Sequence, residues 1–225
     1  MFLELSHVVT EKDPVYPDNP PTRLEKVEEI GRGGVTNLTM IHHFSHNGTH
    51  VDAPYHFCED GWKIEDIPLD RFVFERPFLV NKPKKPGENF SLLDLEGMNE
   101  LERADLIMFR SGFDRLRRED PITYRFLFPG IDEELARFLR EELPNLKAIM
   151  LDFLSADSLL EGARKNFPAH RWLLCRHLSD KRPVLIFEDV NLEPLVGRKV
   201  ELVMALPIRF RGAEAAPVSV VAKVL

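Results

Sequence analysis

Residues 46–57 read His46-Asn47-Gly48-Thr49-His50-Val51-Asp52-Ala53-Pro54-Tyr55-His56-Phe57, placing three histidines and a carboxylate within eleven positions. Neither a core nor a solvated surface calls for that density, whereas imidazole and carboxylate are the common ligands of zinc and related divalent ions. A helix would put His46 and His50 on one face but turn Asp52 and His56 aside, and Gly48 and Pro54 disfavour it. A strand gives all four side chains the same parity, yet a straight one would hold His46 and His56 about 33 Å apart. The chain must therefore bend. Gly48 supplies the backbone freedom, and Thr49 and Asp52 can bond to local backbone groups. The stretch reads as a strand ending near His46, followed by a loop wrapped around a metal.

Chance clustering does not easily mimic the spacing of His46, His50 and Asp52, which read as ligands of one divalent ion. His7, His42, His43 and His177 read as structural. An ion with an open coordination position lowers the pKa of water from about 15.7 toward about 7 and polarises a carbonyl. His56, four residues beyond Asp52, is placed to move a proton. Metal-assisted hydrolysis of an amide is the natural reaction for this set. No GxSxG is present for a serine nucleophile, and Gly31-Arg32-Gly33-Gly34 lacks the lysine and hydroxyl residue of a P-loop. Two rival readings come from other classes. A cupin-type metal oxygenase would be nearly all-β, and a non-catalytic structural metal site would use closed, usually cysteine-rich ligation.

The string HNGTHVDAPYHF resembles the signature HxGTHxDxPxHF of the cyclase-like metal-dependent hydrolases, the superfamily that includes bacterial kynurenine formamidase (arylformamidase) and isatin hydrolase. The resemblance extends along most of the chain, through ELSHVVTEKDPVYPDNP, RSGFDRL, FPGIDEELARFL, LDFLSAD, AHRWLL, FEDVNL and ALPIRFRGAEAAPVSVVA. It implies a single α/β domain of the swivelling β/β/α type, with a mixed sheet and covering helices. It also implies that His170 and Glu188 complete a two-metal centre, with Asp52 and Glu188 shared; the ligand types themselves point to zinc first and manganese second, with one or two ions per chain. His56 takes the role of general acid and base, and Tyr16 stands where the formamidases usually have a pocket tryptophan. The implied substrate is a small amide or lactam on an aromatic group, most specifically N-formylkynurenine. The segment between His170 and Glu188 is several residues longer than in the kynurenine enzyme.

Composition agrees with a soluble enzyme. With 225 residues, 44% hydrophobic and 30% charged, one domain can bury a sizeable core. A net charge of −7 and a pI near 5.7 argue against nucleic acid as a partner. The runs at 82–85 and 115–118 read as solvated surface. No export signal or apolar span of about 18 residues is visible, which predicts a protein that neither enters nor crosses a membrane. Cys58 and Cys175 do not make a disulfide framework, so a reducing cytoplasm fits best, and Cys58 reads as a small buried hydrophobe. The expected partners are a small-molecule substrate and further copies of the chain, as a dimer or tetramer.

Strand character falls at 2–9, 37–44, 72–80, 104–110, 147–153, 184–187, 199–205 and 218–225, with a Pro-rich extended loop at 14–21. The clearest helix is 131–143, where Ile131, Leu135, Phe138 and Leu139 recur at helical spacing behind an acidic start. A second helix at 168–178 would hold His170 in its first turn. The β, α, β order about residues 104–153 predicts a parallel or mixed sheet with helical cover.

Overall fold

Three short apolar runs make the centre of the sheet. In the computed structural model, which describes all 225 residues, they are β7 (Leu106–Arg110), β8 (Ala148–Leu151) and β9 (Leu185–Glu188). They pair in parallel with one another, and β6 (Pro77–Asn81) pairs in parallel with β7 on the outer side. Alternate side chains go to opposite faces: Ile107, Phe109, Ile149, Leu151 and Ile186 enter one core, and Leu106, Met108, Ala148, Met150, Leu185 and Phe187 the other. Burial on both faces is why these strands read as unbroken apolar runs and not as alternating ones.

The remaining strands continue the same sheet by antiparallel pairing. β4 (His50–Asp52) lies between β9 and β11 (Ala215–Val224), and β10 (Val200–Pro207) joins β11 to β5 (Val73–Phe74). β1 (Phe2–Glu4) adds to the other end of β11, making nine strands that nearly close where β10 approaches β6. β2 (Arg23–Glu28) and β3 (Leu38–His42) form a separate, exposed hairpin. Four helices cover the outer face: α1 (Phe113–Glu119), α2 (Pro121–Phe126), α3 (Glu133–Glu141) and α4 (Pro168–Leu174). The swivelling α/β expectation holds. A parallel four-strand core with helical cover is not a cupin. No helix is long and apolar enough to cross a membrane.

Several local expectations change. The helix expected over 168–178 stops at Leu174, because Cys175 is extended and Arg140 of α3 takes the carbonyls of Trp172, Leu173 and Cys175 that a longer helix would have used. Arg117 is not solvated surface: α1 carries it inward to Asp189, and it is 7% exposed. Lys84 is likewise drawn down onto Asp94 at 2.8 Å. The two cysteines are not free thiols but a disulfide, with Cα atoms 5.6 Å apart. The link ties the turn after His56 to the end of α4, two segments 117 residues apart whose contact no sequence pattern announces.

Candidate metal centre and active site

His50 and Asp52 lie on β4 with one residue between them, so both side chains leave the same face of the sheet. In the ladder His50 stands directly opposite Glu188 of β9, which brings that carboxylate to the same face. Only the two flanking residues need bends. Gly48, at φ +63°, turns the chain so that His46 reaches back over β4, and its carbonyl accepts from Nδ1 of His50 at 2.8 Å. Pro54–His56 form a single 3₁₀ turn that folds His56 onto His46, ring centroids 4.2 Å apart. Gly61 packs so closely against the Pro54 backbone that a side chain there would collide with it. The bend thus lies where the spacing demanded one, but His50 and Asp52 sit on a strand, not in a loop.

His170 arrives from the first turn of α4. Its Nε2 lies 3.4 Å from Oδ2 of Asp52 and 3.3 Å from Oε1 of Glu188. Nε2 of His50 lies 3.4 Å from both Oδ1 of Asp52 and Oε2 of Glu188, and Nδ1 of His46 is 3.0 Å from Oδ1 of Asp52. The two carboxylates therefore stand between imidazoles on either side. Nε2 of His50 and both oxygens of Asp52 are buried with no hydrogen-bond partner of good geometry. Orphaned buried acceptors are costly unless something else satisfies them, and a divalent cation matches nitrogen and carboxylate donors. His50–Asp52–Glu188 and His46–Asp52–His56 each bring ligand atoms within 4.8 Å of one another. The residues present fit the ion.

Electrostatics agree. Burial opposes charge on His50, but its contacts with Asp52 and Glu188 prevail and push it up to about 10. Burial also opposes charge on Asp52, and the imidazoles of His46 and His56 hold it well below the ordinary carboxylate range. With no ion bound, protons on His46, His50 and His170 balance the carboxylate charge that a divalent cation would neutralise in their place. Burial pushes His56 the other way, down to about 4, with only partial relief from Asp52. Burial therefore favours the uncharged imidazole at His56.

A second layer fixes the ligands. Asp157 accepts from the backbone N–H groups of Ala169 and His170 at 3.0 Å and meets Nδ1 of His170 at 2.6 Å. This sets the ring's rotation and leaves Nε2 for the centre. Glu188 accepts from the Ala156 N–H at 2.7 Å. Glu214 meets Nε2 of His46 at 3.3 Å and accepts from Ser45 at 2.6 Å. Thr49 donates to the Asp189 carbonyl at 2.6 Å, locking β4 to the end of β9. Loss of a carboxylate behind a metal-ligating imidazole typically costs about 10- to 100-fold in metal affinity. Asp157→Asn is expected to weaken metal binding on that scale in a competition titration with a chromophoric chelator, and unchanged affinity would remove Asp157 from the support of His170.

A pocket of about 360 Å³ opens over the centre. His46, His56, His170 and Glu188 form its floor, Tyr16, Phe44, Phe57 and Phe167 its aromatic walls, and Glu214 part of its rim. Every site residue singled out in the sequence therefore reaches this pocket or the buried ligand atoms beneath it. Asp157, Glu214, Phe44 and Phe167 were not singled out. Asp157 lay within LDFLSAD without a visible partner, and the others carry no local signal.

The description "Putative cyclase" belongs to the family model that matches residues 3–158. The chain belongs to that family. Kynurenine formamidase from Geobacillus thermodenitrificans (strain NG80-2) is 29% identical to it over 223 residues, covering 96% of this chain and 94% of that protein. Kynurenine formamidase from Bacillus mycoides (strain KBAB4) is 27% identical, covering 98% and 96%. Among solved structures, isatin hydrolase A from Labrenzia aggregata bound to benzyl benzoate superposes with a TM-score of 0.80 at 22% identity, over 99% of this chain and 93% of that one. A potential metal-dependent hydrolase with cyclase activity gives 0.75 at 23% identity, over 99% and 96%. These structures share the fold of this chain, and the family model and the formamidase relatives place it among the cyclase-like metal-dependent hydrolases.

Proposed function

We propose that this member of the cyclase family is a metal-dependent amidohydrolase acting on a small amide or lactam attached to an aromatic group, with N-formylkynurenine, cleaved to kynurenine and formate, as the leading substrate. One observation carries the reading: His46, His50, Asp52, His170 and Glu188 converge, with unpartnered buried ligand atoms, beneath an aromatic-walled pocket. The formamidase relatives, matched over nearly their whole length, support the formamide over other amides. Zinc suits the donor set best and manganese second. Asp52, facing three imidazoles, and Glu188, facing two, could be shared by two ions.

A divalent cation bound here would supply Lewis acidity to water and to the substrate carbonyl. The chain's own residues do the rest. His46, His50, Asp52, His170 and Glu188 hold the ion. Tyr16, Phe44, Phe57 and Phe167 receive the aromatic ring and exclude bulk water from the floor. The neutral imidazole of His56, beside His46 and His170, accepts a proton from the attacking water and returns it to the departing nitrogen. Glu214 holds His46 from the rim.

The exposed hairpin supports a homo-oligomer. Leu24, Val27, Leu38, Met40 and Ile41 all lie open on β2 and β3, an apolar surface of the kind that subunit contacts cover. In a cytoplasmic setting the Cys58–Cys175 link is shielded by burial, both residues being at most 5% exposed.

Activity on N-formylkynurenine, N-formylaniline and isatin tests the reading. Formate release or ring opening is expected with at least one of them, abolished by a chelator and restored by zinc or manganese. Failure on all three with metal-loaded protein would reject it.

A further inference from the structure

A second cleft, of about 480 Å³, shares no lining residue with the pocket over the metal centre. Arg71, Arg176, Lys181 and Arg182 line it, against the two carboxylates of Asp70 and Asp180. None of the four cations takes part in an ion pair, although the chain as a whole carries a net charge of −7. Three of the four come from the segment between His170 and Glu188.

The cleft is held in shape from below. Arg140 donates to the carbonyls of Cys175, Ser179 and Lys181 at 3.0, 3.3 and 2.8 Å. Arg71 donates from Nη2 to the carbonyls of Lys147, at 3.0 Å, and Pro183. The loop's negative carbonyl ends are thereby drawn onto these two guanidiniums. Arg71 is only 6% exposed, and its Nε is buried without a partner. Burial first, and then the cation of Arg182, depress Arg71 to about 10 against the opposing carboxylate of Asp70. Arg176 lies over the Trp62 ring at 5.1 Å. That contact occupies none of the forked N–H donors of Arg176, which can serve an oxyanion.

We propose that this cleft is a binding site for a dianionic oxyanion, either phosphate or a small dicarboxylate, distinct from the hydrolytic pocket. Four cations against two carboxylates leave two positive charges in excess, which a dianion matches. Trp62 also accepts a backbone hydrogen bond from Tyr55 at 3.0 Å, so the cleft and the His56 turn share a wall.

Calorimetric titration of the metal-loaded protein with inorganic phosphate, and separately with succinate, tests the site. The comparison protein is the double variant Arg176→Ala with Arg182→Ala, both exposed side chains whose loss leaves Arg71 and Arg140 to hold the loop. Anion binding to the metal itself would be the same in both proteins, so the difference isolates the cleft. Saturable one-to-one binding is expected, weakened by at least about tenfold in the double variant as two charge-assisted contacts are lost. Tighter binding of phosphate assigns a phosphate-bearing ligand, and tighter binding of succinate a dicarboxylate. Three results would overturn the proposal: no saturable binding up to roughly 10 mM, equal affinity in the double variant, or displacement by chloride at matched ionic strength, which would mean an adventitious ion only.

Discussion

His56→Ala is expected to keep its fold and its metal while losing about 10²- to 10⁴-fold in turnover, the usual scale for a missing general acid and base. His56 sits on a 3₁₀ turn against His46 and 5.9 Å, centroid to centroid, from His170, and burial keeps it neutral. A neutral imidazole at the mouth of the centre can take a proton, whereas His50 and His170 each have Nδ1 committed, to Gly48 and to Asp157. Metal content by plasma emission and turnover of an N-formyl aromatic amine, measured on the same samples, separate the roles. Loss of stoichiometric metal would make His56 a ligand, and near-normal turnover would end its part in proton transfer.

Arg117→Met is expected to cost about 3 to 5 kcal/mol of stability, because removing one partner of a buried ion pair strands the other. Arg117 lies 3.0 Å from Asp189, which is wholly buried and also takes the Tyr124 hydroxyl at 2.5 Å. Asp189 follows Glu188 directly and holds its backbone at φ +51°, so this pair anchors the end of the strand that delivers a metal-binding carboxylate. Burial alone would raise the Asp189 carboxyl, and Arg117 is the largest influence that holds it low. A lowered carboxyl adds stability above its unfolded pKa and loses it as pH falls, so the cost of the substitution is greatest near neutrality and shrinks in acid. Urea unfolding at pH 7 and pH 4 measures both effects. Arg115→Ala, on the exposed side of α1 and 63% exposed, should stay within about 0.5 kcal/mol of wild type. A loss below about 1 kcal/mol for Arg117→Met at pH 7 would contradict the anchoring role.

The metal motif was legible because its chemistry is local. The ligand types and the distance between His46 and His56 required a bend that Gly48 could make, although His50 and Asp52 lie on a strand where a loop was expected. The buried strands β7, β8 and β9 were legible as apolar runs, and α3 by its periodicity. What stayed hidden is non-local. The ladder that sets His50 opposite Glu188, the reach of Asp157 to His170, and the Cys58–Cys175 link depend on chain crossings that no spacing encodes. Arg117 misled for the same reason: in a run of arginines, only the partner 72 residues away shows which one points inward. His170 and Glu188 entered through resemblance alone, and the structure brings both to the centre.

Crystals grown with zinc or manganese, with diffraction recorded on either side of the metal's absorption edge, test the central claim most directly. Anomalous peaks are expected between Asp52 and Glu188, with nitrogen and oxygen atoms of His46, His50, Asp52, His170 and Glu188 at roughly 2.0 to 2.2 Å. An anomalous map with no peak there, or peaks more than about 4 Å from these side chains, would contradict it.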